Sequence, residues 1–188
     1  MKNLKTIALA LVVALGTLTV SAQTGKKADP SKSSINWVGK KFTGQHTGTI
    51  DLKEGTLIFK GEKLVGGNFT VDMATISTTD LSGKAKTNLD GHLKADDFFG
   101  TEKFPTSKLV FKSIGEKSKN VYTVTADLTI KEITNPIQFE IIVDGDKATT
   151  ALKVDRTKYD IKYASTGMGV VADKAISDEF ELNITLQL

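Results

Sequence analysis

Cysteine is absent from the 188 residues of the chain. Its absence excludes catalysis by a thiol, zinc sites with cysteine ligands, iron–sulfur clusters and disulfide bonds. It also excludes the acceptor cysteine to which bacterial lipoproteins attach their lipid. Any function must therefore depend on other side chains or on the shape of the fold.

The chain also has little excess of charge of one sign. It contains 25 Lys and Arg against 22 Asp and Glu, which gives a net charge of +3. Lys2 and Lys5 lie in a segment that we expect to be removed, and without them the surplus is +1. Binding to phosphates needs a concentrated excess of Lys and Arg, so we expect no nucleic-acid partner.

Motifs of enzymes and metal sites are scarce as well. The only histidines are His46 and His92, and neither belongs to a His-x-His or His-Glu-x-x-His pattern. No Gly-x-Ser-x-Gly sequence occurs, and Gly66 and Gly67 do not open a helix as a phosphate-binding loop does. We therefore expect no catalytic residues and no metal site.

The first 22 residues have the pattern of a secretory signal peptide. Lys2 and Lys5 precede an apolar stretch, and the small-residue sequence Val20-Ser21-Ala22 follows it. We expect cleavage after Ala22 and export, most simply to a bacterial periplasm. The polar residues 23–34 then form a flexible leader before a single domain of residues 35–188.

Most of the remaining chain alternates apolar and polar residues with a period of two. In residues 121–130, Tyr122, Val124 and Ala126 share one face while threonines occupy the other, and residues 180–188 repeat the pattern. Such alternation predicts half-buried strands, eight or nine in all. The turns between them are short and contain glycine, so we expect antiparallel neighbours and an all-β fold.

Residues 81–99 break this alternation. Leu81, Ala85, Leu89 and Leu93 fall at helical spacing, which predicts a helix across this segment. Asp96 is expected to cap a second, short helix. His92 would then form a structural contact between the helical segment and the sheet.

An antiparallel sheet with one apolar face must hide that face. Two sheets can pack together, or one sheet can close into a barrel. A barrel of eight strands is either filled by its own side chains or holds one small ligand. The periodicity does not separate these alternatives.

Two polar side chains are candidates for positions inside such a barrel. His46 shares its parity with Leu52, so in a regular strand it points inward, towards a ligand or a backbone group. Arg156 shares its parity with Leu152, which predicts a buried guanidinium that must be paired. It either forms a structural ion pair or meets an anionic or carbonyl head group of a ligand. The candidate ion-pair partners are Asp72, Asp155, Asp160 and Asp178.

Several short motifs, taken in their order along the chain, resemble those of the YceI-like family of exported polyisoprenoid-binding proteins. The most specific is residues 92–99, His-Leu-Lys-Ala-Asp-Asp-Phe-Phe, with Pro105 after it. The other matching segments are residues 34–41, 46–48, 66–73, 128–131 and 155–159, Asp178 and the terminal strand. Ala126 and Glu132 stand where the family usually has glycine, and Tyr159 replaces the commoner Phe.

The resemblance implies a single antiparallel, lipocalin-like, eight-stranded closed barrel with a short helical segment packed on it. It implies a deep apolar tunnel for an isoprenoid or a similar long lipid, such as an isoprenoid quinone or a polyprenyl lipid, and no cofactor other than this ligand. His46, Arg156 and Tyr159 would hold the head group. The lining would contain the aromatic and methionine side chains Trp37, Phe42, Phe69, Met73, Phe98, Phe99, Phe111, Tyr122 and Met168.

The expected function is thus that of a periplasmic carrier that binds a lipid without converting it. Two alternatives remain at this point. One is an enzyme that acts on a bound hydrophobic substrate with His46 and Arg156. The other is a solid barrel that binds a protein partner. The sequence leaves open which lipid is bound and whether the chain forms a homodimer.

Overall fold

The computed structural model describes residues 22–169 and 175–188. The predicted signal peptide therefore lies outside the described residues, except for Ala22. The described chain contains nine strands, one α-helix and two short 3₁₀ turns, Arg156–Tyr159 and Thr166–Met168. The strands are β1 Gln23–Lys27, β2 Ser34–Lys41, β3 Gly44–Lys60, β4 Lys63–Thr78, β5 Thr106–Ser118, β6 Val121–Ile130, β7 Ile133–Asp144, β8 Lys147–Asp155 and β9 Ile176–Gln187, and α1 is Gly83–Lys94.

The strands follow the alternation of the sequence. In β6 every second side chain is buried over the whole length of the strand, from Tyr122 to Ile130, and the intervening positions are only partly buried. β3 and β4 are the longest strands, and register shifts in their pairing mark β-bulges. Bulges bend a strand and increase its twist, which helps a sheet to curve.

The sheet closes into a barrel. The strands run in the order β3-β2-β9-β8-β7-β6-β5-β4, and β4 pairs with β3 to complete the ring. All of these pairs are antiparallel. The predicted closed eight-stranded all-β barrel is therefore confirmed.

The predicted flexible leader is partly wrong. Residues 23–27 form β1, a ninth strand that pairs with residues 56–60 of β3 beyond the part that pairs with β2. A turn at residues 29–33 separates β1 from β2, and the amide of Asp29 donates to the Gln187 carbonyl at 2.7 Å. The long β3 thus offers a free edge that orders a segment with no apolar alternation of its own.

The helical segment contains one helix rather than two. α1 ends at Lys94, and residues 96–99 form turns. The amides of Phe99 and Thr101 donate to the carbonyls of Leu93 and Lys94, so the chain folds back against the end of α1. The Asp96 carboxylate accepts a hydrogen bond from Lys103 at 2.6 Å instead of capping a new helix.

α1 is fastened to the end of β4 by a polar cluster. The Asp90 carboxylate accepts from the Thr78 amide at 2.7 Å and from Lys86 at 2.9 Å. The ammonium group of Lys86 also donates to the Thr78 carbonyl. The helix therefore lies at the end of the barrel where β4 finishes, which we call the helix end.

The opposite end, called the packed end, contains the turns at residues 61–62, 119–120 and 145–146. Its interior is filled by side chains from several strands. These buried residues are Leu57, Phe59, Leu64, Tyr122, Val124, Val143 and Ala148. The barrel is thus solid at the packed end.

Candidate ligand-binding cavity

An apolar cavity extends from the helix end into the middle of the barrel. Its volume is about 160 Å³, and strands β2 to β9 all contribute to its wall. Leu93, Phe98 and Phe99, from α1 and the turns after it, cover it at the helix end. The barrel is therefore neither fully filled nor fully hollow, because the cavity occupies one part and the packed end the other.

Aromatic rings form much of the cavity wall. The ring of Phe111 lies 5.9 Å from that of Phe69 and 5.7 Å from that of Phe139, and Phe98 and Phe99 are 5.2 Å apart. These tilted and edge-to-face arrangements are the favoured ones for aromatic pairs. Six residues predicted from the sequence as lining do border the cavity, namely Trp37, Phe69, Met73, Phe98, Phe99 and Phe111.

Trp37 is placed against the cavity by a close backbone approach. A Cβ atom on Gly48 of the neighbouring strand would lie 2.3 Å from the Trp37 ring and 2.1 Å from the Ser77 carbonyl oxygen. Only glycine leaves room for the indole at this position. The indole N–H donates to the Thr49 carbonyl at 3.2 Å, which orients the ring.

Arg156 borders the cavity, but its donors are used by the protein. Only 2% of its surface is exposed. Nε donates to the Ser177 carbonyl at 2.9 Å and Nη2 to the Ile176 carbonyl at 3.0 Å. Nη1 donates to the carbonyls of Ile161 and Tyr163 at 2.8 and 2.9 Å. Arg156 therefore joins the end of β8 to the start of β9.

The ionic partner of Arg156 is Asp178, one of the four predicted candidates. Nη2 lies 3.5 Å from the Asp178 carboxylate. Burial lowers the pKa of Arg156, while Asp178 and Asp155 oppose that effect. Carbonyls and Asp178 take up the guanidinium, which agrees with the structural ion pair among the two alternatives, and the contact of Arg156 with a ligand head group stays a prediction.

His46 lies near the end of the barrel but does not border the cavity. Its Nδ1 is 2.9 Å from the Asp80 carboxylate, which also accepts from the Thr47 amide at 3.0 Å. Burial raises the pKa of Asp80, but the hydrogen bonds from Thr47 and His46 outweigh it and lower the pKa. The predicted inward position of His46 is wrong, because His46 precedes Gly48, the first buried position of β3, and so lies beyond the buried layers of the barrel.

Tyr159 is buried away from the cavity. It lies in the 3₁₀ turn after β8, and only 2% of its surface is exposed. Burial, with a smaller effect of Asp155, raises the pKa of Tyr159 to about 12. The hydroxyl therefore stays protonated, and Tyr159 is not placed to hold a ligand head group as predicted.

Two further predicted lining residues, Phe42 and Tyr122, do not border the cavity. Phe42 is 77% exposed, because it lies in the turn after β2 where strand parity no longer applies. Tyr122 belongs to the packed end. The side chain of Met168 lies outside the described part of the structure.

The aromatic contacts of His92 are with the turn after α1 and with the segment after β8, and its predicted contact with the sheet stays a prediction. Its ring lies 5.3 Å from that of Phe98 and 4.4 Å from that of Tyr163. Across residues 22–169 and 175–188, no group of three His, Asp or Glu side chains is placed to hold a metal ion. The same part of the chain contains no helix long and apolar enough to span a membrane.

The sequence analysis missed the aliphatic wall and one polar residue of the cavity. Leu152 and Ile184 border it and share parity with other buried positions in their strands, so the signal was present. Ser107 also borders it, on the same face of β5 as Leu109 and Phe111. A serine at an inward position carries no hydrophobic signal, and parity alone could have found it.

Comparison with known families identifies the fold. The family model for the YceI-like domain matches residues 27–188, which include every strand from β2 to β9. The chain belongs to the YceI-like family. The YceI-like barrel is compatible with binding a hydrophobic ligand. It is consistent with a binding protein rather than an enzyme.

Individual relatives of this YceI-like chain match over part of its length. A UPF0312 protein of Shewanella denitrificans is 31% identical over 113 residues, 60% of this chain and 56% of that protein. One of Staphylococcus aureus is 34% identical over 120 residues, 56% of this chain and 66% of that protein. The matches thus span less than two thirds of these relatives.

Solved structures show the same fold at low identity. Burkholderia cenocepacia BcnA has a TM-score of 0.68 and 18% identity, covering 85% of this chain and 98% of BcnA. A Campylobacter jejuni YCEI protein has a TM-score of 0.51 and 15% identity, covering 100% of this chain and 96% of that protein. At these identities the similarity supports the barrel architecture alone.

Proposed function

We propose that this YceI-like protein binds an isoprenoid or a similar apolar lipid inside its barrel and carries it, unchanged, in the periplasm. The observation that carries the proposal is the apolar cavity above the packed end. A hydrocarbon chain is insoluble in water, and each methylene buried in such a cavity contributes about 0.8 kcal/mol. The periplasmic setting is proposed from the signal pattern of residues 1–22.

The charges at the cavity favour binding over catalysis. The charged residues on its border are Lys108, Arg156 and Glu179. Lys108 and Glu179 are exposed, and the guanidinium of Arg156 is bonded to carbonyls. The cavity wall of the described chain therefore offers no acid–base pair to a bound substrate, and His46 is directed to Asp80.

The volume of the cavity limits what enters without rearrangement. About 160 Å³ is close to the roughly 150 Å³ of an engineered cavity that binds benzene in another protein. A ring or a short branched segment fits in such a space. A longer chain must displace side chains, and we expect the turns that carry Phe98 and Phe99 to move.

The single tryptophan gives a direct test of binding. Trp37 borders the cavity, so a short-chain ubiquinone that enters it should quench the fluorescence. We expect saturable quenching, together with an extractable lipid in protein purified from cells. No recovered lipid and no quenching would contradict the proposal.

A pair of variants tests the place of binding. Leu152→Phe fills part of the cavity and should weaken ubiquinone binding at least tenfold. Ile142→Phe adds a ring to the outer face of the barrel, where Ile142 is 48% exposed, and should leave binding unchanged. Equal affinities of the two variants would place the ligand outside the barrel.

A further inference from the structure

The cavity wall contains one buried hydroxyl that the protein leaves unpaired. Ser107 is only 7% exposed and borders the cavity. Its Oγ is buried and has no hydrogen-bond partner among the described residues. Thr78 and His92 also carry a buried unpaired atom in this part of the chain, but neither residue borders the cavity.

The position of Ser107 in β5 directs its side chain into the barrel. It is paired with Val71 of β4, which also borders the cavity. Leu109 and Phe111, two and four residues further along β5, border it as well. Side chains with this spacing lie on one face of a strand, so the hydroxyl lies among apolar groups that face the cavity.

A buried hydroxyl without a partner is unfavourable, and folded proteins rarely retain one. A partner that comes from outside the chain would remove this cost. Ser107 borders the cavity, so an atom of a bound ligand can approach the residue from that side. The partner atom must accept from, or donate to, a neutral hydroxyl.

The charges around the cavity determine what kind of partner fits. Arg156 points its N–H groups at carbonyls and at Asp178, and Lys108 is exposed. An ionised head group next to Ser107 would therefore be buried without a counter-charge, which is costly. An uncharged oxygen has no such requirement.

We infer that Ser107 donates a hydrogen bond to an uncharged oxygen, such as a carbonyl, of a lipid whose apolar part fills the rest of the cavity. This inference rests on the proposed function and narrows its ligand class to neutral lipids with a polar oxygen held inside the barrel. Ser107 is then a residue that determines specificity, while the aromatic wall provides affinity.

The test compares ligands with and without oxygen by quenching of Trp37 or by calorimetry. Ser107→Ala should weaken binding of a short-chain ubiquinone about five- to tenfold, as expected for one hydrogen bond. It should leave binding of squalene, an isoprenoid hydrocarbon without oxygen, unchanged. Ser113→Ala, a change at an exposed serine of the same strand, should alter neither affinity.

A structural role would give a different result. Because Ser107 Oγ makes no bond within the described chain, ligand-free Ser107→Ala should be at least as stable as the wild type in urea. A loss of stability, or equal weakening of ubiquinone and squalene, would overturn the inference. Ser107→Cys, a close steric match with a weaker donor, serves as a second variant and should reduce ubiquinone binding less than Ser107→Ala.

Charge selectivity is tested with farnesol and farnesyl phosphate. We expect farnesol to bind more tightly, and Ser107→Ala to weaken farnesol binding alone. Tighter binding of the phosphate would overturn the inference. If wild-type protein binds squalene but Ser107→Ala changes no affinity, the role of Ser107 fails while the proposed function stands. If none of the probes binds, the proposed function itself fails.

Discussion

Arg156 borders the cavity, yet its hydrogen bonds connect parts of the backbone. Its guanidinium joins residues 161–163 to residues 176–177 through four carbonyls. The first segment follows β8 and the second begins β9, and they meet at the helix end. The arginine therefore acts as a bridge between the last two strands.

Replacement of Arg156 should destabilise the barrel rather than abolish binding selectively. Arg156→Met leaves four buried or partly buried carbonyls without their donor, and we expect the free energy of unfolding to fall by about 3–5 kcal/mol. Arg156→Lys should restore little of this free energy, because one ammonium group cannot reproduce the forked geometry of the guanidinium donors. Urea unfolding measures both effects.

The matched control is Lys153→Met, a change at an exposed lysine of β8, three residues before Arg156. It should alter the free energy of unfolding by less than about 0.5 kcal/mol. A loss below about 1 kcal/mol for Arg156→Met would contradict the bridging role.

At the residue scale, strand parity explains both the successes and the errors of sequence reasoning. Trp37 and Phe69 lie inside regular strands, and their parity places them on the cavity. Phe42 and His46 lie at or beyond the end of the inward-facing layer, where parity says nothing about burial. Asp178 was among the predicted partners of Arg156, but the four hydrogen-bond acceptors of the guanidinium are backbone carbonyls, which a search for charged partners does not find.

At the scale of elements, the attachment of α1 depends on one carboxylate. Burial raises the pKa of Asp90, but hydrogen bonds from Lys86 and Thr78 outweigh it and lower the pKa to about 2. An unfolded aspartate has a pKa of about 3.9. Ionised Asp90 therefore stabilises the folded state above about pH 4, and this contribution is lost as the pH falls through about 2.

Asp90→Asn should make the free energy of unfolding less dependent on pH in the acidic range. We expect the free energy of unfolding to fall less steeply between pH 4 and pH 2 in the variant, by about 2 kcal/mol over the range. Urea unfolding at several pH values measures this slope. In a Lys86→Met background the same change should have a smaller effect, since the partner is absent. An unchanged slope for Asp90→Asn would show that the cluster does not hold the helix.

Sequence patterns predicted the elements where local preference and tertiary structure agree. The alternation in β6 and β9 and the helical spacing of α1 were sufficient. β1 was missed because residues 23–27 have no apolar alternation, and the edge of β3 orders them. The second helix was wrong because the amides of residues 98–101 donate back to the carbonyls of residues 93–95, so the chain turns against the end of α1 instead of starting a helix.

At the scale of the whole molecule, the barrel combines a solid part and a hollow part. The alternation predicted that an apolar face must be covered, by two packed sheets or by one closed sheet, and the resemblance to the YceI-like family favoured closure. The division of the interior was not, because it depends on how the side chains of all eight strands fill a shared space. The filled part occupies the packed end, and the hollow part lies towards the helix end, where Leu93, Phe98 and Phe99 cover it.

Equivalent truncations in the two parts should have unequal costs. Leu57 is fully buried at the packed end, so Leu57→Ala should lower the free energy of unfolding by about 4 kcal/mol. Leu152 already faces empty volume on one side and has fewer contacts to lose, so Leu152→Ala should cost about 2 kcal/mol. Thermal or urea unfolding of the two variants measures the difference. Equal losses would indicate a barrel that is uniformly filled.

The first and last described strands meet at the same turn. Lys26 of β1 binds Asp146 at 3.0 Å, and the amide of Leu188 donates to the Asp146 carbonyl at 2.7 Å. Both lie at the packed end, across the barrel from α1. A tether or reporter domain fused after Leu188 would consequently leave the helix end facing outwards. Molecules immobilised on a sensor surface in this way would share one orientation, with the route to the cavity directed towards the solution.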